Sequence, residues 1–151
     1  MATSNTARRL LLSLATRLAD LNLVQYSGPD AVYTEDPDRP AVMFEKLAPN
    51  PDTAVSLVVY NELGDRDPWN RDYYVRMRFR AAGLDPLKVS DFADAVFDEL
   101  ETSEPTGPRQ SWPGGVNVLT CFRVVRAQSA ADANGRFMRA DSYRITLNPG
   151  E

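Results

Sequence analysis

The chain has 151 residues, 43% hydrophobic and 25% charged, which fits one globular domain over 1–151 and excludes a disordered or fibrous chain. It contains no histidine and a single cysteine, Cys121, which removes histidine metal sites, Ser-His-Asp and Cys-His pairs, histidine general bases, internal disulfides and zinc clusters together. The formal net charge of −4 runs against a chain that wraps nucleic acid.

In chain order, Arg8 and Arg9 precede Leu10, Leu11, Leu12 and Leu14, but Arg17 and Asp20 interrupt that run and no small-residue cleavage site follows. The segment does not read as a signal peptide, and no apolar run approaches the ~18 residues of a membrane span. A soluble protein made in a reducing compartment is expected. Ala7, Leu10, Leu11, Leu14, Ala15, Leu18 and Leu21 instead form one face of an amphipathic helix. Ser4 or Thr6 can cap its start, and Gly28-Pro29 stops any continuation.

A turn-rich stretch, 28–40, holds a short candidate strand at 31–34, and a strand is predicted over 40–47 with Pro40 at its first position. Pro49-Asn50-Pro51-Asp52 is a turn. Residues 53–60 alternate as a strand, with Val55, Leu57 and Val59 on one side. A polar loop, 61–72, follows and carries Trp69. Residues 73–81 are the cleanest strand: Tyr73, Val75, Met77 and Phe79 face one way, Tyr74, Arg76, Arg78 and Arg80 the other. Asp85-Pro86 opens a second helix with Asp85 as N-cap, and Val89, Phe92, Ala93, Val96, Phe97 and Leu100 form its apolar face. The loop 102–115 carries Trp112, and two further strands, 116–127 and 136–147, are joined through the turn signal Asn134-Gly135.

Each helix has a single apolar face, so each must pack on a sheet. The fold class expected is α/β of the α+β kind: a mostly antiparallel mixed sheet of about 4–6 strands with two amphipathic helices on one face.

No paired-carboxylate active site, P-loop, GxGxxG, GxSxG or CxxC is present, so no catalytic, metal or cofactor residues are assigned. Two charged rows stand out. Asp91, Asp94, Asp98 and Glu101 form an acidic stripe on the second helix with no basic residue four positions after any of them. It reads either as a solvated face or as a contact surface for another subunit. Arg76, Arg78 and Arg80 form a ladder whose members lie about 6.6–6.8 Å apart along one strand face and repel unless partners intervene. Those partners are carboxylates on neighbouring strands, a second molecule, or phosphates of a single strand, with Tyr73 and Tyr74 as stacking platforms. Only Lys46 and Lys88 are lysine; the other 15 of the 17 basic residues are arginine. That bias reflects either a GC-rich coding sequence or a use of the guanidinium fork at interfaces. Trp69 and Trp112 either fold back on their own domain or anchor an interface.

The amphipathic leader helix is followed by Pro40-Ala41-Val42-Met43, and then by Pro51-Asp52-Thr53-Ala54-Val55-Ser56-Leu57 running into a strand that ends at Tyr60. Next come Val75-Arg76-Met77-Arg78-Phe79-Arg80 and Ala93-Asp94-Ala95-Val96-Phe97-Asp98-Glu99-Leu100, with Asn134-Gly135-Arg136 before the last strand. In this order the pieces resemble the tail terminator family of long-tailed bacteriophages, also called minor capsid or tail completion proteins. The match is weakest in the loops 61–72 and 102–115.

The resemblance implies a small non-enzymatic virion subunit, made in the host cytoplasm, that forms a homohexameric ring in the neck. Such a ring stops tail-tube growth and joins the tube to the head–tail connector or stopper, and it leaves a bore through which genomic DNA passes without specific binding. A head-to-tail ring needs two different complementary patches on every copy. The acidic stripe and the arginine ladder are candidates for that pair, with Trp69 and Trp112 as anchors. The alternatives are another neck protein, such as a head-completion or stopper subunit, and a small single-stranded nucleic-acid-binding domain. An enzyme fits least.

Overall fold

In the computed structural model, which describes residues 6–101 and 110–148, the alternating segment at 72–81 lies inside a seven-stranded sheet. The elements run α1 (Thr6–Asp20), β1 (Ala41–Phe44), β2 (Ala54–Leu63), β3 (Asp72–Ala81), α2 (Lys88–Leu100), β4 (Gln110–Trp112), β5 (Val116–Arg126), β6 (Ala130–Ala131) and β7 (Phe137–Asn148). The strand order is β1-β2-β3-β7-β5-β4, and β6 pairs with β7 beyond the end of β5. Of these strand pairs β1–β2 is parallel and the others are antiparallel. The α+β class and the mixed, mostly antiparallel sheet are as expected, with the short β4 and β6 added.

Both helices lie on one side. Leu10, Leu11, Leu14 and Leu18 of α1 and Val89, Ala93, Val96 and Leu100 of α2 join one core with Val75, Met77, Phe79, Tyr143, Ile145 and Cys121 of the sheet. The β3–β7 register sets Val75 opposite Tyr143 and Met77 opposite Asp141, so these residues share the helix-covered face. Tyr74, Arg76 and Arg78 therefore point to the uncovered face.

Several local expectations change. Ser4, and 102–109 of the second loop, lie outside the described residues. The first helix stops before Leu21, not at Gly28-Pro29: Asn22 takes a left-handed φ of 61°, and Asn22 N and Leu23 N donate to Ala19 O and Leu18 O. That pattern is a Schellman end, which asparagine tolerates. Residues 31–34 are not a strand, since they find no sheet partner among the described residues and Val32 is 96% exposed. Regular helix begins at Lys88, yet Asp85 still performs cap chemistry, its Oδ1 accepting Leu87 N at 2.9 Å. Phe97 is half-buried at the core's edge, with the Arg123 guanidinium 3.8 Å from its ring centre, whereas Val96 is core.

Candidate assembly interface

The uncovered sheet face is built by register. Arg76 stands between Val58 and Ser142, and Arg78 between Ser56 and Ala140, so no neighbouring strand supplies a carboxylate. That removes one of the three readings of the ladder. Tyr74 faces Arg144 on β7, which in turn faces Phe122 on β5. A bulge between Val59 and Asn61 brings Tyr60 into this group. The Arg76 guanidinium sits 4.6 Å from the Tyr60 ring centre, Arg144 5.6 Å from that of Phe122, and the Tyr60 and Tyr74 rings are 6.1 Å apart. Among the described residues no carboxylate pairs with Arg76, Arg78 or Arg144. Arg76 and Arg144 rest on aromatic rings, and although Arg144 helps hold the Asp72 carboxyl below its usual range, the lack of ion pairs to the three arginines leaves a positive face.

Arg80 departs from the ladder. Its strand parity matches that of Arg78, but the 48–52 turn folds over it, leaving it 2% exposed. Its Nε donates to Asp52 O at 2.8 Å, and its terminal nitrogen donates to Ala48 O at 2.6 Å and Pro51 O at 2.8 Å. Arg80 is thus the pin of that turn, buried and hydrogen-bonded within its own chain.

The acidic stripe of α2 also divides. Asp94 receives Arg139 at 3.0 Å, Arg123 at 3.2 Å and Arg126 at 3.1 Å. Arg139 and Asp141, both with side chains 0% exposed, pair at 2.8 Å beneath it. Burial alone would raise the Asp94 carboxyl; the hydrogen bonds from Arg139, Arg126 and Arg123 overcome that and hold it below the usual carboxylate range. Glu101 accepts the backbone N–H of Arg123 at 2.8 Å. Asp94 and Glu101 therefore tie α2 to β5 and β7. Asp91, Asp98 and the neighbouring Glu99 stay exposed, with no ion pair among the described residues.

The two tryptophans separate in the same way. Trp112 is 2% exposed on β4, with Arg17 of α1 above its ring and its Nε1–H donating to Gln110 at 3.0 Å. Trp69 is 81% exposed on the β2–β3 hairpin loop. That loop is braced. Arg66 grips Asp72 with two 2.8 Å bonds, Asp67 accepts Trp69 N at 3.0 Å and Asn70 Nδ2 at 2.8 Å, and Arg71 pairs with Glu62 at 2.6 Å.

Sequence reasoning missed Arg144, Tyr60 and Phe122 on the open face. Period-two alternation assigns a side only within one strand. Which strands stand side by side, and where a bulge flips the parity, is settled by tertiary pairing.

Among the described residues no three potential metal ligands come together, and no helix is long and apolar enough to cross a membrane. No protein-family model matches the chain, and no curated protein matches it. Among solved structures it is similar to a chain of the virion of a native gene transfer agent particle, at 17% identity over 70% of this chain and 77% of that one, with a TM-score of 0.48.

Proposed function

We propose that the chain is a structural subunit of a phage-type virion: a tail terminator that closes head to tail into a ring, caps the tail tube and joins it to the head connector, with no catalytic step. The virion setting, the sixfold count and the tube and connector as partners come from the family resemblance described above. The observation that carries the assembly reading is the pair of oppositely charged surfaces on opposite sides of one sheet. Arg76, Arg78 and Arg144 lie on the open face and Asp91, Asp98 and Glu99 on the helix layer, each set without an ion-pair partner among the described residues. A heterologous ring needs two such non-identical patches on every copy, and unlike charge brings them together while like charge keeps identical faces apart. Electron microscopy of the protein mixed with tail tubes tests the role: one ring at one end of each tube is expected. Binding along the tube wall, or none, would refute it.

A second reading is favoured by one observation, the interleaving of Tyr60, Tyr74 and Phe122 with the three arginines on an open sheet, which is the composition of a single-strand platform. It predicts single-stranded DNA binding with a steep salt slope. The terminator reading predicts none.

A further inference from the structure

On the open face the three arginines without ion pairs are not held alike. The strands stand side by side in the order β2-β3-β7-β5. Between the pairs Val59–Val75 and Asn61–Tyr74, β2 carries one residue more than β3, and that residue is Tyr60. Its ring centre lies 4.6 Å from the Arg76 guanidinium and 6.1 Å from that of Tyr74. Across from Tyr74 stands Arg144, 5.6 Å from the ring centre of Phe122. Rings and guanidiniums thus form one band across four strands. Arg78 lies outside that band. It is exposed and makes no ring contact, ion pair or side-chain hydrogen bond among the described residues.

A ring and a carboxylate hold an arginine with opposite consequences. A carboxylate takes the in-plane N–H donors and cancels the charge. A ring takes a flat side of the guanidinium and leaves both the donors at its edge and its charge available. It also fixes a long side chain before any partner arrives, so less rotamer freedom is lost on docking. Arg76 meets this description best. It is half-buried beside Tyr60, and no hydrogen bond or ion pair among the described residues occupies its donors. Arg144 is less open: its Nε is buried without a hydrogen-bond partner among the described residues, and its charge already helps to hold the Asp72 carboxyl low.

We infer that Arg76 is the carboxylate-binding fork of the open face, that Tyr60 positions it, and that its occupant is a carboxylate of α2 on the next copy: Asp91, Asp98 or Glu99. The inference rests on the head-to-tail reading above and adds the side chain that carries recognition. Two observations choose this occupant. The three carboxylates are exposed with no ion pair among the described residues, and α2 lies on the covered side of the sheet, away from the Arg76 of its own chain. A planar fork takes a carboxylate through two parallel hydrogen bonds, which a lysine ammonium does not reproduce. The contact therefore reads the shape of the fork as well as its charge.

Self-association of the full chain is measured against concentration, in moderate salt, for Arg76→Lys, Arg78→Lys, Tyr60→Phe, Tyr60→Leu and the double variant Tyr60→Leu/Arg76→Lys, with a melt of each as the control for folding. Arg76→Lys is expected to weaken association about tenfold, and several times more than Arg78→Lys, which replaces a cation with no ring behind it. Tyr60→Leu is expected to weaken it about threefold, with Tyr60→Phe recovering most of the loss because the ring remains. The double variant should lose less than the product of the two single effects, since Tyr60 acts through Arg76. Equal losses from Arg76→Lys and Arg78→Lys would mean that charge alone is read, which overturns the fork and leaves the ring reading standing. Effects of Tyr60→Leu and Arg76→Lys that multiply independently would overturn the positioning role. Arg76→Lys keeps the charge and nearly the length, so it decides the fork even where Tyr60→Leu lowers the melt. The same order of variants in binding to oligothymidylate, without self-association, would put phosphates in place of carboxylates and overturn the occupant. A parent chain that stays monomeric at every concentration and binds no such strand would overturn both the fork and the ring.

Discussion

Trp69 and Trp112 both sit beside prolines in polar, turn-rich sequence, yet one is 81% exposed and the other 2%. The difference comes from β4, a three-residue edge strand that pairs Trp112 with Val116 and turns the indole under α1. Trp112→Ala is therefore expected to cost about 3–5 kcal/mol of stability. Trp69→Ala should fall within about 0.5 kcal/mol of the parent, as surface changes do. Paired thermal or urea melts of the two variants check this contrast; a large loss from Trp69→Ala would mean that its indole packs on its own chain. The arginines teach the same lesson. Strand parity places Arg76, Arg78 and Arg80 on one side, and that much is legible from alternation alone. Nothing local says that the 48–52 turn will close over the last of them.

At the scale of the elements, α1, α2 and β3 are readable because each carries an apolar repeat whose burial largely follows its period, whereas β2, β5 and β7 are legible as strands but their burial departs from alternation, with four consecutive buried residues in β2, bulges in β5, and buried Arg139 and Asp141 in β7. The pieces that escaped reading are short or defined by a partner. β4 and β6 have three and two residues, too few for a pattern, and 31–34 has the pattern of a strand without a ladder to join. The acidic face of α2 escaped in part because its counter-charges, Arg123, Arg126 and Arg139, come from strands 29–45 residues away. That network has consequences for α2. Asp141 is 0% exposed and holds Arg139 beneath the helix, so Asp141→Ala leaves a buried guanidinium short of its partner and should cost about 3–5 kcal/mol in a denaturant melt.

Acid acts on the same joint. Asp94 and Asp72 are both held below the ordinary aspartate value, Asp72 first by its hydrogen bonds from Arg66. A depressed carboxyl adds stability that is present above its unfolded value, about 3.9, and is lost as pH falls through the lower folded one. Melting temperature should hold between about pH 5 and 7 and drop below about pH 4. Asp94→Asn should start lower and fall less steeply over that acid range. An equal acid slope in parent and variant would remove Asp94 from the account.

For the molecule as a whole, the sheet separates charge. Its covered side holds the core and an acidic helix surface, and its open side holds arginines resting on aromatic rings. Asp91, Asp98 and Glu99 on the one side and Arg76, Arg78 and Arg144 on the other make no ion pair among the described residues of their own chain, and the central claim is that each set finds its partners on the next copy. The direct measurement is the mass, in moderate salt, of Arg78→Glu, Asp98→Arg and their equimolar mixture. Each single variant sets like charge against like at every contact and should stay monomeric at 16.8 kDa. In the mixture, the carboxylate introduced at position 78 of one variant meets the guanidinium introduced at position 98 of the other. The return contact, native Arg78 on native Asp98, is unaltered, so alternating rings of even count should close. A sixfold ring corresponds to six copies of 16.8 kDa, about 101 kDa. Single variants that assemble like the parent, or a mixture that stays monomeric while the parent assembles, would contradict it.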